Sequence, residues 1–221
     1  GKDSLQCSEK LLELTLYMLE ANERFNITSI TNPVDIVNKH LIDSIAPFSV
    51  LGIDRGSSII DIGSGGGFPG LPMKILRDDI SLTMMDSTAK KVGYLSEVST
   101  SLGLEVRCVA ARAEDAANEE GFRERYDWAI ARAVARLDVL CELCLPFVRV
   151  GGCFAAMKSG DCEEEAEQAA AAVSLLGGKR HKIIKYEAGG MSRAVVLINK
   201  VKNTSSKYPR QFSKIIKTPL K

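Results

Sequence analysis

The chain has 221 residues, enough for one sizeable core with a small appendage, since domains run to about 100–200 residues each. It is 45% hydrophobic and 26% charged, with no apolar run near the ~18 residues of a spanning helix, so the disordered and membrane classes are excluded. Net charge is +1, but from Met191 to Lys221 there are eight Lys or Arg and no acid, a basic tail on a body of −7 that suits attachment to a polyanion.

Residues 4–22 carry Leu5, Leu11, Leu12, Leu16 and Leu19 at helical spacings. After the turn-rich NERFNITSITNP, residues 33–48 predict a second helix, with Asn32 as cap and Pro33 pre-set for the first turn. Beyond Gly52 short buried strands alternate with helices: strands at 58–62, 81–86, 105–109, 128–131 and 153–157, helices at 71–77, 88–102, 113–118, 137–148 and 161–176. This alternation predicts right-handed crossovers and a parallel α/β sheet covered on both faces. Strands at 182–186 and 194–199 follow without an intervening helix, so one of them joins antiparallel. The expected organisation is a helical cap (1–52), a Rossmann-like core (53–202) and a basic tail (203–221) packed on or beside it.

The six cysteines form no dense secreted framework, and the start of the chain reads as an amphipathic helix rather than a signal peptide; the expectation is a cytoplasmic protein with reduced thiols. Cys141 and Cys144 make a CxxC, but inside an apolar helical pattern with no second pair, so they read as core and no metal is expected.

The chemistry concentrates in DIGSGGGFPG, Asp61 to Gly70, where the first strand turns into the first helix over nearly bare backbone. Ligands of open parallel sheets bind at that turn. Gly65, Gly67 and Gly70 fit the dinucleotide pattern GxGxxG. Asp61, however, would repel a pyrophosphate and attract an ammonium and a sulfonium, and Pro69 and Pro72 remove N–H donors from the helix start. S-adenosylmethionine is therefore favoured over a nicotinamide cofactor. Asp86, at the end of the second strand, suits ribose hydroxyls; Ala113 and Glu114 after the third suit an adenine edge; Arg132 after the fourth sits on the same rim.

These residues resemble the bacterial guanine-N7 methyltransferases of small-subunit (16S) ribosomal RNA, formerly the glucose-inhibited division protein B family. The resemblance lies in NIT (26–28), KHLIDS (39–44), DIGSGGGFPGLP (61–72), MDSTAKKVGYL (85–95), RAED (112–115), ARAVARL (131–137) and YPR with a terminal PL. It implies a Rossmann-like class I S-adenosylmethionine-dependent methyltransferase with an N-terminal helical cap, transferring methyl to N7 of a guanine in the 530 loop of 16S rRNA. By resemblance Gly63 and Phe68 line the cofactor pocket with Asp61, Gly65, Asp86, Ala113, Glu114 and Arg132, and His40, Asp43 and Ser44 of the cap face it. Guanine N7 has a free lone pair, so no base is required. A nearby carboxylate would stabilise the cationic product, and Asp43 is the candidate; the alternative is that it anchors its helix. RNA contacts are expected from Lys90, Lys91, Lys158, Arg193 and the tail with Arg210, on 16S rRNA or the small subunit, with the protein acting as a monomer. The remaining readings are a methyltransferase for another RNA or a small molecule, a nicotinamide-dependent oxidoreductase, and a non-enzymatic RNA-binding module.

Overall fold

The computed structural model describes residues 4–132 and 135–221; Ala133 and Val134 of the ARAVARL motif lie outside the described residues. Its centre is a seven-stranded sheet of order β3-β2-β1-β4-β5-β7-β6. The strands are β1 (Ser58–Ile62), β2 (Ser81–Asp86), β3 (Val106–Ala110), β4 (Tyr126–Arg132), β5 (Val148–Ser159), β6 (Gly178–Ala188) and β7 (Met191–Lys200). The first five pair in parallel, while β7 runs antiparallel to both neighbours. The strand order reverses between β1 and β4, which opens a crevice at their carboxyl ends.

The inner strands read as near-continuous apolar runs because both faces are covered, while the outer β3 and β6 carry exposed charged residues. Ile60, Ile62, Ala131, Phe154 and Val196 pack on one side, against helices α7 (Ala113–Ala116), α8 (Leu137–Cys144), α9 (Glu163–Gln168) and α10 (Ala170–Leu175). Ile59, Met84, Ile130, Ala155 and Val195 pack on the other, against α1 (Ser4–Arg24), α5 (Gly70–Leu76) and α6 (Ala89–Ser101). Cys141 and Cys144 are fully buried in the first of these layers, and burial pushes both thiols up. Among the described residues no helix is long and apolar enough to cross a membrane.

Three expected helices are divided. The run expected at 33–48 is α2 (Pro33–Ile36), a π-helical turn (Val37–Ile42) and α3 (Asp43–Ile45), followed by the separate α4 (Phe48–Leu51). The cap at its start is as read, with Asn32 Oδ1 accepting from Val34 N at 3.0 Å. The run at 137–148 ends at Cys144 and continues as a 3₁₀ turn, Leu145–Phe147, because Pro146 has no N–H to extend the ladder. The run at 161–176 splits at Ala169 into α9 and α10. After β7 the chain crosses the core with Thr204, Tyr208 and Ile215 buried, and ends with α11 (Phe212–Lys217).

Candidate functional site

The loop after β1 is tied down by its own backbone: Gly63 N and Ser64 N both donate to Met85 O, at 2.8 and 3.1 Å, fixing it to the end of β2. Gly67 has φ +92°, and a Cβ there would meet Leu71 Cδ1 at 2.5 Å, so only glycine lets the turn fold back onto α5. Gly70 opens α5 and donates its N–H to Asp61 Oδ2 at 3.1 Å. A Cβ on Gly70 would stand 2.8 Å from that same oxygen.

Asp61 therefore lies beneath the loop and is not among the residues that line the three cavities described below. It is 1% exposed, and its Oδ1 has no hydrogen-bond partner among the described residues. Burial raises its carboxyl to about 7, against the opposing pull of the Gly70 N–H and of Arg132.

Above the loop lies a cavity of about 330 Å³ at the carboxyl ends of β1 to β4. Gly63 and Gly65 form part of its wall, with Asp86, Ala113, Glu114 and Arg132. The Asp86 carboxylate accepts Gly65 N with Oδ2 at 3.1 Å and Thr88 N with Oδ1 at 2.8 Å. It so joins β1 and β2 loops, and each oxygen keeps lone-pair capacity for a ligand hydroxyl. Glu114 is only 7% exposed, with Arg112 Nη1 3.9 Å from its Oε1. Besides neighbours of the residues read from the sequence, the wall includes Lys91, which was assigned to RNA, Leu143 of α8, and Phe212 of the tail.

A second cavity, of about 440 Å³, opens between the cap and the ends of β4, β5 and β7. The π-helical turn and α3 bring His40 and Asp43 to its wall, facing Arg132, Lys158, Tyr186 and Arg193. π-helical turns recur at functional sites. Asp43 is held by two arginines: its Oδ2 lies 3.0 Å from Arg132 Nη1 and its Oδ1 2.7 Å from Arg193 Nε. Each carboxylate oxygen thus accepts from a guanidinium group, so the negative charge expected to face a cationic product is already shared with two arginines. Its alternative role as an anchor is the one the geometry supports. Ser44 also turns away, fully buried, its hydroxyl donating to His40 O.

Arg132 joins the two cavities. Its Nη1 also donates to Lys39 O at 3.1 Å, Nη2 lies 3.4 Å from His40 Nδ1, and its guanidinium carbon is 5.8 Å from the Phe68 ring centre. His40 stacks on Phe68 with centroids 4.8 Å apart and planes 23° apart, and its Nε2 is 3.0 Å from Thr28 Oγ1. Burial, then the Arg132 charge, lowers the imidazole to about 4, so it is neutral at physiological pH. With Nδ1 facing a guanidinium donor, the assigned tautomer carries its proton on Nε2 and donates to Thr28. The NIT turn that places Thr28 is fixed by Asn22, whose Oδ1 accepts Ile27 N at 2.8 Å and Thr28 N at 3.0 Å. A third hollow, of about 230 Å³, is bounded by Thr28, His40, Gly63, Gly66, Phe68 and again Arg132.

Two expected RNA contacts point inward. Lys158 Nζ pairs with Glu165 at 2.7 Å and donates to Ala135 O at 2.9 Å. Arg210 binds the fully buried Glu142 at two points, Nη2 to Oε2 at 2.6 Å and Nε to Oε1 at 2.8 Å. Each is a structural partner of a buried or half-buried acid, not a free phosphate ligand. Arg193 is likewise engaged by Asp43, though it keeps a face on the second cavity. Lys90 is exposed at the start of α6, and Lys207, Lys214 and Lys217 are exposed along the tail. Lys200, counted with the basic tail, is buried: its ammonium reaches Leu145 O at 2.6 Å and Glu124 Oε1 at 3.2 Å, and burial lowers it to about 8.

The comparisons agree with this geometry. The model of the family described as rRNA small subunit methyltransferase G matches residues 7–196. The chain is similar to ribosomal RNA small subunit methyltransferase G of Clostridium botulinum strain Loch Maree, 46% identical over 205 residues that cover 91% of this chain and 86% of the relative. The protein of the same name from Alkaliphilus metalliredigens is 41% identical over 216 residues, covering 96% and 90%. Among solved structures, a SAM dependent methyltransferase from Aquifex aeolicus superposes with a TM-score of 0.56 at 17% identity, over 78% of this chain and 96% of that one. TrmN from Thermus thermophilus gives 0.54 at 19% identity, over 72% and 48%. At these identities the structures speak for the fold alone.

Proposed function

The chain belongs to the rRNA small subunit methyltransferase G family, and from that premise we propose that its first cavity holds S-adenosylmethionine and its second presents N7 of a 16S rRNA guanine to it. The fold is the mostly parallel class I methyltransferase sheet, and the activity is S-adenosylmethionine-dependent methylation of small-subunit rRNA. The observation that carries the arrangement is the convergence of all three cavities on Arg132, at the switch point of the sheet.

The residues present fit the cofactor. The lone pairs left on Asp86 suit the ribose hydroxyls, Ala113 and Glu114 the adenine edge, and the hollow by Gly63, Gly66 and Phe68 the amino-acid end. The buried Asp61, with an unpartnered oxygen, favours a cationic ligand over a pyrophosphate. When bound, S-adenosylmethionine supplies a methyl group on a positively charged sulfur.

The chain's own task is placement. Tyr186, Met157 and Ile30 give the second cavity apolar surface on which a base can lie, and Arg193 and Arg132 line its polar side. A guanidinium donating to guanine O6 holds the base while N7 keeps its lone pair. N7 carries no proton, so no general base is needed; alignment in a closed pocket supplies the acceleration. A looped or single-stranded target lets the base leave its stack and enter. Exposed Lys90, Lys214 and Lys217 are the groups we assign to the flanking phosphates, in place of Lys158 and Arg210. Small-subunit rRNA as substrate supports a cytoplasmic site of action.

The test is transfer of radiolabelled methyl from S-adenosylmethionine to 16S rRNA, offered as naked RNA and as small subunits lacking the modification, with Arg132→Ala as control. Label at a single guanine N7, lost in the variant, is the expected result. Label on another atom or another RNA would overturn the assignment of the second cavity.

A further inference from the structure

The cofactor cavity has one wall residue from a distant part of the chain. Phe212, the first residue of α11, stands with residues that otherwise come from 62–143. The residue is 39% exposed, and the Arg112 guanidinium carbon lies 5.9 Å from the centroid of its ring. Arg112 in turn approaches Glu114, on the edge of the same cavity.

Nothing about this placement is loose. Two residues earlier Arg210 is clamped on the buried Glu142, with its own N–H donating to Oε1 at 2.8 Å and its Nη1 to Thr218 O at 3.0 Å. Glu142 sits on α8 beside Leu143, itself a wall residue. Three residues beyond Phe212, Ile215 is fully buried. Upstream, Arg123 holds the chain by donating to Thr204 O at 2.8 Å and Tyr208 O at 3.1 Å. The tail is therefore a fixed strap that delivers one large, exposed aromatic face to the end of the cavity where Ala113 and Glu114 lie.

We propose that Phe212 is a cofactor-binding residue: its ring covers the adenine face of S-adenosylmethionine, and the Arg210–Glu142 clamp is the device that positions it. The proposal rests on reading the first cavity as the cofactor site. A purine offers a flat π-face to an aromatic ring, and Phe212 is the one aromatic residue among those that line this cavity. The basic tail so acquires a second role besides charge, completing the site from within.

Titration calorimetry with S-adenosylhomocysteine, and separately with adenosine, decides it. Truncation of an exposed ring leaves the fold intact, which denaturation of Phe212→Ala checks. Stacking contributions of the usual size predict affinity about tenfold weaker in Phe212→Ala for both ligands, and near wild type in Phe212→Trp. With Trp128→Phe removing the one native tryptophan, the indole fluorescence of Phe212→Trp should change on ligand addition. Equal affinities of Phe212→Ala and wild type, or an indole in Phe212→Trp that stays silent while the variant binds, would overturn the proposal. Failure of the wild type to bind either ligand would instead overturn the cofactor assignment of the cavity.

Discussion

Replacing Asp43 by Asn tests the reading of the second cavity most directly. The side chain is 10% exposed and bridges Arg132 and Arg193, themselves 13% and 23% exposed at the side chain. Asn is nearly isosteric and keeps one carbonyl oxygen, so one guanidinium retains an acceptor and the other loses it, while both lose the countercharge. A hydrogen bond to a charged group contributes about 1.5–3 kcal/mol, and removing one partner of a buried ion pair costs about 3–5 kcal/mol. Partial exposure of Arg193 screens some of this, which places the expected loss at about 2–4 kcal/mol. Urea unfolding followed by Trp128 fluorescence measures it. If the loss comes from uncompensated positive charge, adding Arg193→Met to Asp43→Asn restores part of the stability, with a coupling of about 1–2 kcal/mol. The catalytic reading of Asp43 expects the opposite pattern: wild-type stability and a reduced turnover alone. An Asp43→Asn variant within about 0.5 kcal/mol of wild type, with strictly additive effects, would refute the clamp.

Gly70→Ala drives a Cβ to 2.8 Å from Asp61 Oδ2 and 3.3 Å from Met84 Sδ, so stability should fall by about 1–3 kcal/mol in the same assay; an unchanged midpoint would contradict the packing. Asp61 has a raised carboxyl, so the folded state holds its proton where the unfolded one does not; its contribution to stability falls as pH rises from about 4 to about 7, then stays level. Its negative charge appears as pH passes about 7, so the affinity ratio of S-adenosylmethionine to S-adenosylhomocysteine should rise between about pH 6 and 8 and go flat in Asp61→Asn; a ratio independent of pH in the wild type would remove Asp61 from ligand binding. Binding of rRNA should weaken steeply with salt, and Lys214→Gln with Lys217→Gln should reduce the slope by about 0.7–0.9 per lost phosphate contact, whereas Lys158→Gln should leave it unchanged. An equal effect at Lys158 would show that its pair with Glu165 opens to RNA.

The inner strands were legible in the chain because β1, β2 and the later part of β7 are buried on both faces and so appear as short apolar runs between glycines and polar turns, whereas the edge strands β3 and β6 are largely exposed or half-buried. The pocket was legible for a related reason: Gly63, Asp86, Glu114 and Arg132 all sit at strand ends, where topology alone brings them together. What the sequence could not carry was direction. Lys158, Arg193 and Arg210 read as free cations because charge says nothing of the partner, and the acid that takes Arg210 lies 68 residues away. Asp61 read as a cofactor contact because it stands two residues before the glycine loop, and its carboxylate proves to be covered by the start of α5. The π-helical turn has no local signal either. It is set where Gly189 admits Asn38, since a Cβ there would be 2.7 Å from the Asn38 Cβ, and where Arg132 takes Lys39 O. In the helix expected at 137–148 the signal was present, in Pro146, and marked the end.

On the proposed function, the charges around Arg132 bear on how methyl transfer to N7 proceeds without an acid or a base. Methylation moves a positive charge from the donor side of the site to the acceptor side. In the proposed arrangement Asp61 and Asp86 lie on the donor side, and the wall of the second cavity, proposed to take the acceptor, carries Arg132, Arg193 and Lys158. Left bare, that distribution opposes the reaction: at an effective dielectric of about 20, a unit charge about 6 Å from the developing cation raises its energy by up to about 3 kcal/mol. The structure answers residue by residue. Asp43 takes both arginines, Glu165 takes Lys158, and His40 is held neutral by burial and by Arg132 itself. The guanidinium groups can then offer directional N–H donors to a base without imposing their full charge on N7. On this account the carboxylate of Asp43 serves the reaction through the arginines it neutralises and aims, so its loss acts on placement, on charge and on stability together.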